Sequence, residues 1–299
     1  MFYMKHDIKM IFEQMETFFW IPKLEENGQS YNKFAESRKL VRKTTYLYIL
    51  TTCGALSLYV TTPLIKNGKN LIFTMYKPTW IPFELLFLFQ MYIGVTHLAC
   101  GMLAFDMMFM TILTYTRVQF EILNKELKGI FDAELSNEKA LQRFKSRMRA
   151  CIEHHDFLMR HSATISSTFS VTVGAFFVTV FVCDTLETYR IVNATELLII
   201  LKSFVFVTAG VVAMSSMCYF IPAQLLTDEA SNVCENIYSS KWYNHMELAK
   251  PLIMIVARSH DLVEIKPCGI WELNLKTGLT VVKSMVSYAT FLKTVESAT

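Results

Sequence analysis

An all-α, polytopic membrane bundle is the fold class this sequence predicts, and three observations carry it. Hydrophobic residues make up 53% of the 299 positions and charged residues only 18%, with a mean hydropathy of +0.32. Soluble domains hold about 45–50% apolar and about 25% charged residues. The apolar residues are also clustered, in windows of about 20, the length that crosses a hydrocarbon layer of about 30 Å at about 1.5 Å per residue. Finally, Lys and Arg alternate between the segments joining those windows. A soluble core does not pattern its cations in that way.

Taken in order, residues 1–20 place Met4, Ile8, Ile11, Phe12, Met15 and Phe19 near helical spacing, which predicts an amphipathic helix. Lys5, His6, Asp7 and Lys9 interrupt this segment, so it does not read as a signal peptide. The first span is 46–65, behind the basic collar Arg38, Lys39, Arg42 and Lys43. The second, 83–116, passes one charge at Asp106 and is long enough to project beyond the bilayer. Residues 117–160 alternate charges with Phe120, Ile122, Leu123, Leu127 and Ile130, the pattern of a long amphipathic helical extension. Spans follow at 162–183 and at 197–226, the latter interrupted by Lys202. The last, 270–295, is weaker and carries Glu272, Lys276, Lys283 and Lys293.

Residues 1–45, 117–161 and 225–269 carry eight, nine and four Lys or Arg, against three and one in 66–82 and 184–196. The positive-inside rule therefore expects a cytoplasmic N-terminus and, after five spans, an extracellular C-terminus. The one glycosylation sequon, Asn193-Ala194-Thr195, falls in an expected external loop.

Chemistry is sparse. The sequence has no Gly-rich phosphate loop, no zinc-protease motif and no nucleophile elbow, so we expect no enzyme, no cofactor, no metal and no nucleic-acid partner. The seven cysteines show no metal-ligand spacing and read as reduced, structural thiols. His154-His155-Asp156 reads as a solvated helix face, because adjacent residues point about 100° apart and do not converge on one ion. Asp106 is costly in a span unless paired, and Arg117 or a cation within 143–149 is its expected partner. Lys202 is near enough to a span end to snorkel. Lys283 and the hydroxyls around it fit a pore-lining helix and a buried bundle helix equally well.

Several stretches resemble the insect odorant receptors. They are Leu273-Asn274-Leu275-Lys276-Thr277 with Lys283 and Ser287 through Val295; Gln224 through Ser231 with Ile237-Tyr238 and Lys241-Trp242-Tyr243; and Lys77-Pro78-Thr79-Trp80-Ile81-Pro82-Phe83 before the helix bearing Asp106 and Gln119-Phe120. The related gustatory receptors end in Thr-Tyr, five residues, then Gln-Phe; here Thr294-Val295 stands there instead, a poorer fit. The resemblance implies an odorant-gated, non-selective cation channel: a heterotetramer with a coreceptor subunit, embedded in lipid at the plasma membrane of olfactory sensory neurons. A non-conducting remnant or a gustatory-receptor-like channel is the alternative. The resemblance places a gate at Phe291 and Val295, with Thr294 and Tyr288 beside them. It places the pocket for a small volatile odorant at Cys53, Leu56, Tyr59, Met91, Val95, Leu98, Phe206 and Val207, and a subunit anchor at Trp242, Tyr243 and Leu252. Family members have seven membrane helices, so the five here are expected to match the third to seventh, as in an N-terminally truncated chain forming one domain over 1–299.

Overall fold

The computed structural model describes residues 5–20, 29–65, 80–93, 98–132, 137–211, 218–248, 250–259 and 261–298. Among them the regular structure is helical: α1 (Lys5–Phe18), α2 (Gln29–Ile65), α3 (Phe83–Gln90), α4 (Leu98–Lys128), α5 (Glu138–Asn193), α6 (Leu197–Val211), α7 (Phe220–Ser239), α8 (Lys250–Ser259) and α9 (Leu275–Ala298). Short 3-10 segments occupy Trp242–Leu248 and Pro267–Gly269.

The elements redraw several expected boundaries. The stretch expected as one extension over 117–160 is two helices, because α4 ends at Lys128, Gly129 begins a turn, and a new helix starts at Glu138. That helix, α5, then runs unbroken for 56 residues through the apolar stretch 162–183. It combines length with an 18-residue window of mean hydropathy 1.9, of which only 33% is buried inside the protein. Helix α9 begins at Leu275 and not at 270, because Cys268 (φ 52°) and Gly269 (φ 67°) break the backbone and Asn274 then caps the new helix, its Oδ1 accepting from Thr277 N at 2.8 Å.

The chain divides into two compact units. One comprises Met1–Leu40, Thr111–Phe176 and Ile221–Thr277. Its core repeats at helical spacing: Phe120, Leu123 and Leu127 on α4, and Ala223, Leu226, Ala230, Val233 and Ile237 on α7, are all buried. Two polar pins hold register there. Asn124 Nδ2 donates to the Glu229 carbonyl at 2.8 Å and to its carboxylate at 2.9 Å, and Thr227 Oγ1 donates to Val263 O at 2.8 Å. Helix α1 buries Ile11 completely and sets Phe18 against Phe157 of α5, as its amphipathic spacing predicts.

The other unit comprises Val41–Met110, Phe177–Phe220 and Gly278–Thr299. Apolar side chains cover its outside: Leu85, Leu88, Phe89 and Tyr92 form one exposed face at i, i+3, i+4 and i+7. Leu50, Leu197, Leu201 and Phe204 are also exposed. So much exposed apolar surface suits hydrocarbon and not water.

Candidate functional site

Helix α9 touches its own unit along one narrow stripe. Gly278, Met285 and Ala289 are buried, a spacing that keeps one face inward. Gly278 is required there, because a Cβ would lie 2.8 Å from the Phe220 ring. Tyr288 flanks the stripe with its ring edge-on to Phe181 at 5.9 Å. The far end is tied by polar contacts: Glu296 accepts from Tyr189 Oη at 2.5 Å and Asn193 Nδ2 at 2.9 Å, and Lys293 donates to Val192 O at 3.3 Å. Phe291 and Val295 lie roughly opposite the stripe at about 100° per residue, and are 60% and 46% exposed. Thr280, Ser284, Ser287 and Thr294 share that side, so the far face of α9 is a run of hydroxyls ending in two apolar residues. Tyr288 is also exposed.

The expected odorant-wall residues belong to the same unit. Cys53 is exposed, while Leu56, Met91, Phe206 and Val207 are half-buried. Val95 and the side chains of Tyr59 and Leu98 lie outside the described residues. The same unit holds a polar node whose partners sequence reasoning missed. Asp106, 2% exposed, accepts hydrogen bonds from the hydroxyls of Tyr48 on α2 and Tyr219. Two neutral donors therefore take the place of the cation expected from Arg117 or 143–149. Phe109 and Phe177 pack on Tyr219 at centroid distances of 5.2 and 5.4 Å. Lys202 is half-buried on α6. All seven cysteines are free thiols. Asn193 ends α5 exposed, its amide engaged by Glu296.

In the other unit, Trp242 and Tyr243 meet edge-to-face at 6.5 Å. Tyr243 is exposed, but Leu252 is only 4% exposed, so it packs within its own chain. Tyr238, Met246, Ile253 and Met254, near Tyr243 in sequence, are outward apolar residues as well. Ile253 and Met254 sit in a continuous run, Leu252 to Val256, whose inner and outer members periodicity does not separate.

The histidine pair overturns its solvated reading. His154 and His155 are 4% and 1% exposed. Adjacent helix positions are both buried only where the helix is covered on two sides. Trp20 stacks on His154 at 4.0 Å and 11°, and Arg258 of α8 reaches Asp156, beside His155, at 3.9 Å. Gln119 clamps the Trp20 backbone, its Oε1 accepting from Trp20 N at 2.8 Å and its Nε2 donating to Trp20 O at 3.1 Å. Burial pushes both imidazoles down to about 4; the Asp156 carboxylate works against this at His155, and Arg258 with it. Burial likewise pushes the Cys151 thiol up to about 12. A cavity of about 670 Å³ opens beside the stack, lined by Gln14, Trp20, His154, Phe157 and His161 among others.

A helical bundle with one unit apolar on its outside and a last helix presenting exposed hydroxyls is a membrane receptor or channel in class. The comparisons make the assignment specific. The profile described as 7tm Odorant receptor matches residues 1–286, and the chain belongs to that family. It is 19% identical over 318 aligned positions to Odorant receptor 13a of Drosophila melanogaster, covering 96% of this chain and 73% of that protein. In fold it resembles the insect olfactory receptor OR5 of Machilis hrabei in complex with eugenol, with a TM-score of 0.79 at 12% identity over 97% of this chain and 74% of that one. A second structure of the same receptor gives a TM-score of 0.78 at 12% identity over 96% of this chain and 74% of that one. This is a helical membrane bundle of the odorant receptor family.

Proposed function

We propose that this odorant receptor is a subunit of an odorant-gated, non-selective cation channel that assembles with a coreceptor in a heterotetramer. The observation that carries the reading is the far face of α9. Thr280, Ser284 and Ser287 offer hydroxyls suited to a wetted path, and Phe291 and Val295 end it with an apolar ring suited to closure by dewetting. Subunits would meet through Tyr238, Tyr243, Met246, Ile253 and Met254, with half-buried Trp242 behind them and Leu252 acting from inside the core. A small volatile odorant would bind by burial against Leu56, Met91, Phe206 and Val207, with Cys53, Tyr59, Val95 and Leu98 as further wall positions. The cation count supports a cytoplasmic N-terminus with α9's end outside, in the plasma membrane of what would be an olfactory sensory neuron, and Asn193 would carry a glycan there once it releases Glu296.

Coexpression with a coreceptor in oocytes, with surface labelling and recording against an odorant panel, tests this. We expect odorant-evoked cation current. Surface delivery without any evoked current would leave a receptor-like bundle that does not conduct.

A further inference from the structure

We infer that a groove between α5 and the 261–269 segment, with Arg258 at its edge, is a seat for the headgroup of a zwitterionic phospholipid, phosphatidylcholine or phosphatidylethanolamine. The groove measures about 510 Å³ and lies wholly within the first unit. Three observations point to that chemistry.

The first is an unused polar atom. Four serines of α5 line the groove, and three are spoken for: Ser166 Oγ accepts from Lys266 N at 3.2 Å, Ser170 Oγ donates to Lys266 O at 3.2 Å, and Ser167 Oγ donates to Thr164 O at 3.0 Å. Ser162 is only 3% exposed, and its Oγ has no hydrogen-bond partner. A buried hydroxyl without a partner is costly, and a phosphate or ester oxygen entering the groove would accept from it.

The second is the charge of the rim. It carries two cations and two carboxylates, already matched: Arg258 with Asp261 at 3.1 Å and Lys266 with Glu264 at 2.5 Å. Those four charges sum to zero, and Arg258 and Lys266 each have a second carboxylate, Asp156 and Glu272, at 3.9 Å, so an anionic headgroup finds no net attraction. A zwitterion can exchange with these pairs, its phosphate on Arg258 and its ammonium on Asp261. Exposed ion pairs contribute little and open cheaply.

The third is position. Arg160 is the last charge on α5 before the uncharged stretch 162–183, so the groove sits where the helix passes from water to hydrocarbon. Leu262, Ile270 and Val171 are exposed beside it, and Trp271 is half-exposed, a surface on which acyl chains would lie. On the orientation proposed above, this is the cytoplasmic leaflet.

The test uses the purified full chain in detergent and reads thermal unfolding against added short-chain lipid. Dihexanoylphosphatidylcholine should raise the midpoint saturably, and dihexanoylphosphatidylglycerol should not. Ser162→Ala and Asp261→Asn should each cut the shift by half or more while keeping the lipid-free midpoint near wild type. Native mass spectrometry should find bound phosphatidylcholine reduced in the same variants. Equal shifts from both lipids, or a full shift in both variants, would overturn the assignment. A shift from glycerophosphocholine with none from the lipid would overturn the membrane source. No odorant or current enters the measurement, so its outcome is independent of the channel reading.

Discussion

Asp106 shows what a single charge costs in an apolar helix and how the fold answers it. Its sequence context flags a group that needs a partner, because an ionisable residue at that depth is expensive. Which partner cannot be read from the sequence, since Tyr48 and Tyr219 lie 58 and 113 residues away. The hydroxyls satisfy the carboxylate without bringing in a second charge that would itself need desolvating. Stranding the acceptor should therefore hurt more than altering it. Replacing both tyrosines by Phe is expected to cost about 3 kcal/mol, and Asp106→Asn about 1 kcal/mol. Thermal unfolding of the detergent-solubilised protein orders the two; the opposite order would remove the node from the account. The histidines teach the converse. His154 and His155 look solvated by spacing alone, and only the covering elements bury them.

At the scale of elements, close approaches decide what each helix tolerates. On α5, a Cβ at Gly174 would run into Sγ of Cys268, which sits in the left-handed turn before α9. Gly174→Ala should cost about 1–3 kcal/mol, and Cys268→Ala should recover most of it, a coupling that a double-mutant cycle on midpoints measures. Neither residue is marked in the sequence, because the pair meets only when the 261–269 segment folds back on α5. The seating of α1 on α5 carries a pH dependence. An unfolded imidazole protonates near 6.5, whereas burial keeps His154 and His155 neutral down to about 4. Between those values the unfolded chain binds more protons, so stability falls as pH drops from about 6.5 towards 4. At pH 5 the loss is on the order of 2 kcal/mol for each ring. The midpoint should fall from pH 7 to pH 5, and His154→Phe with His155→Leu should flatten that slope. An equally steep slope in the variant would place the titration elsewhere.

For the molecule as a whole, the surface tells more than the core. Phe291 and Val295 on α9, large apolar residues that are 60% and 46% exposed, are those that a closed assembly would bring together. If they form the gate, Phe291→Ala and Val295→Ala should each raise resting current severalfold in coreceptor-expressing oocytes, and the pair more than either alone. Met285→Ala, on the packed stripe, should instead lower surface expression without leak. Unchanged resting current in both gate variants would remove that face from the conduction path.

Composition and patterning alone determined that this chain is a helical membrane protein, roughly where its apolar stretches lie and which side its cations favour. Those properties are local sums over neighbouring residues, and the bilayer reads them window by window. Motif order was also enough to recognise the odorant receptors. The rest was decided by tertiary structure: that Asp106 is held by tyrosines, that adjacent histidines are both buried, that Leu252 faces inward while Ile253 faces out, and that Ser162 is left without a partner beside paired charges. Each of these depends on which distant segment covers a given helix face, and helical periodicity names the faces without naming their neighbours.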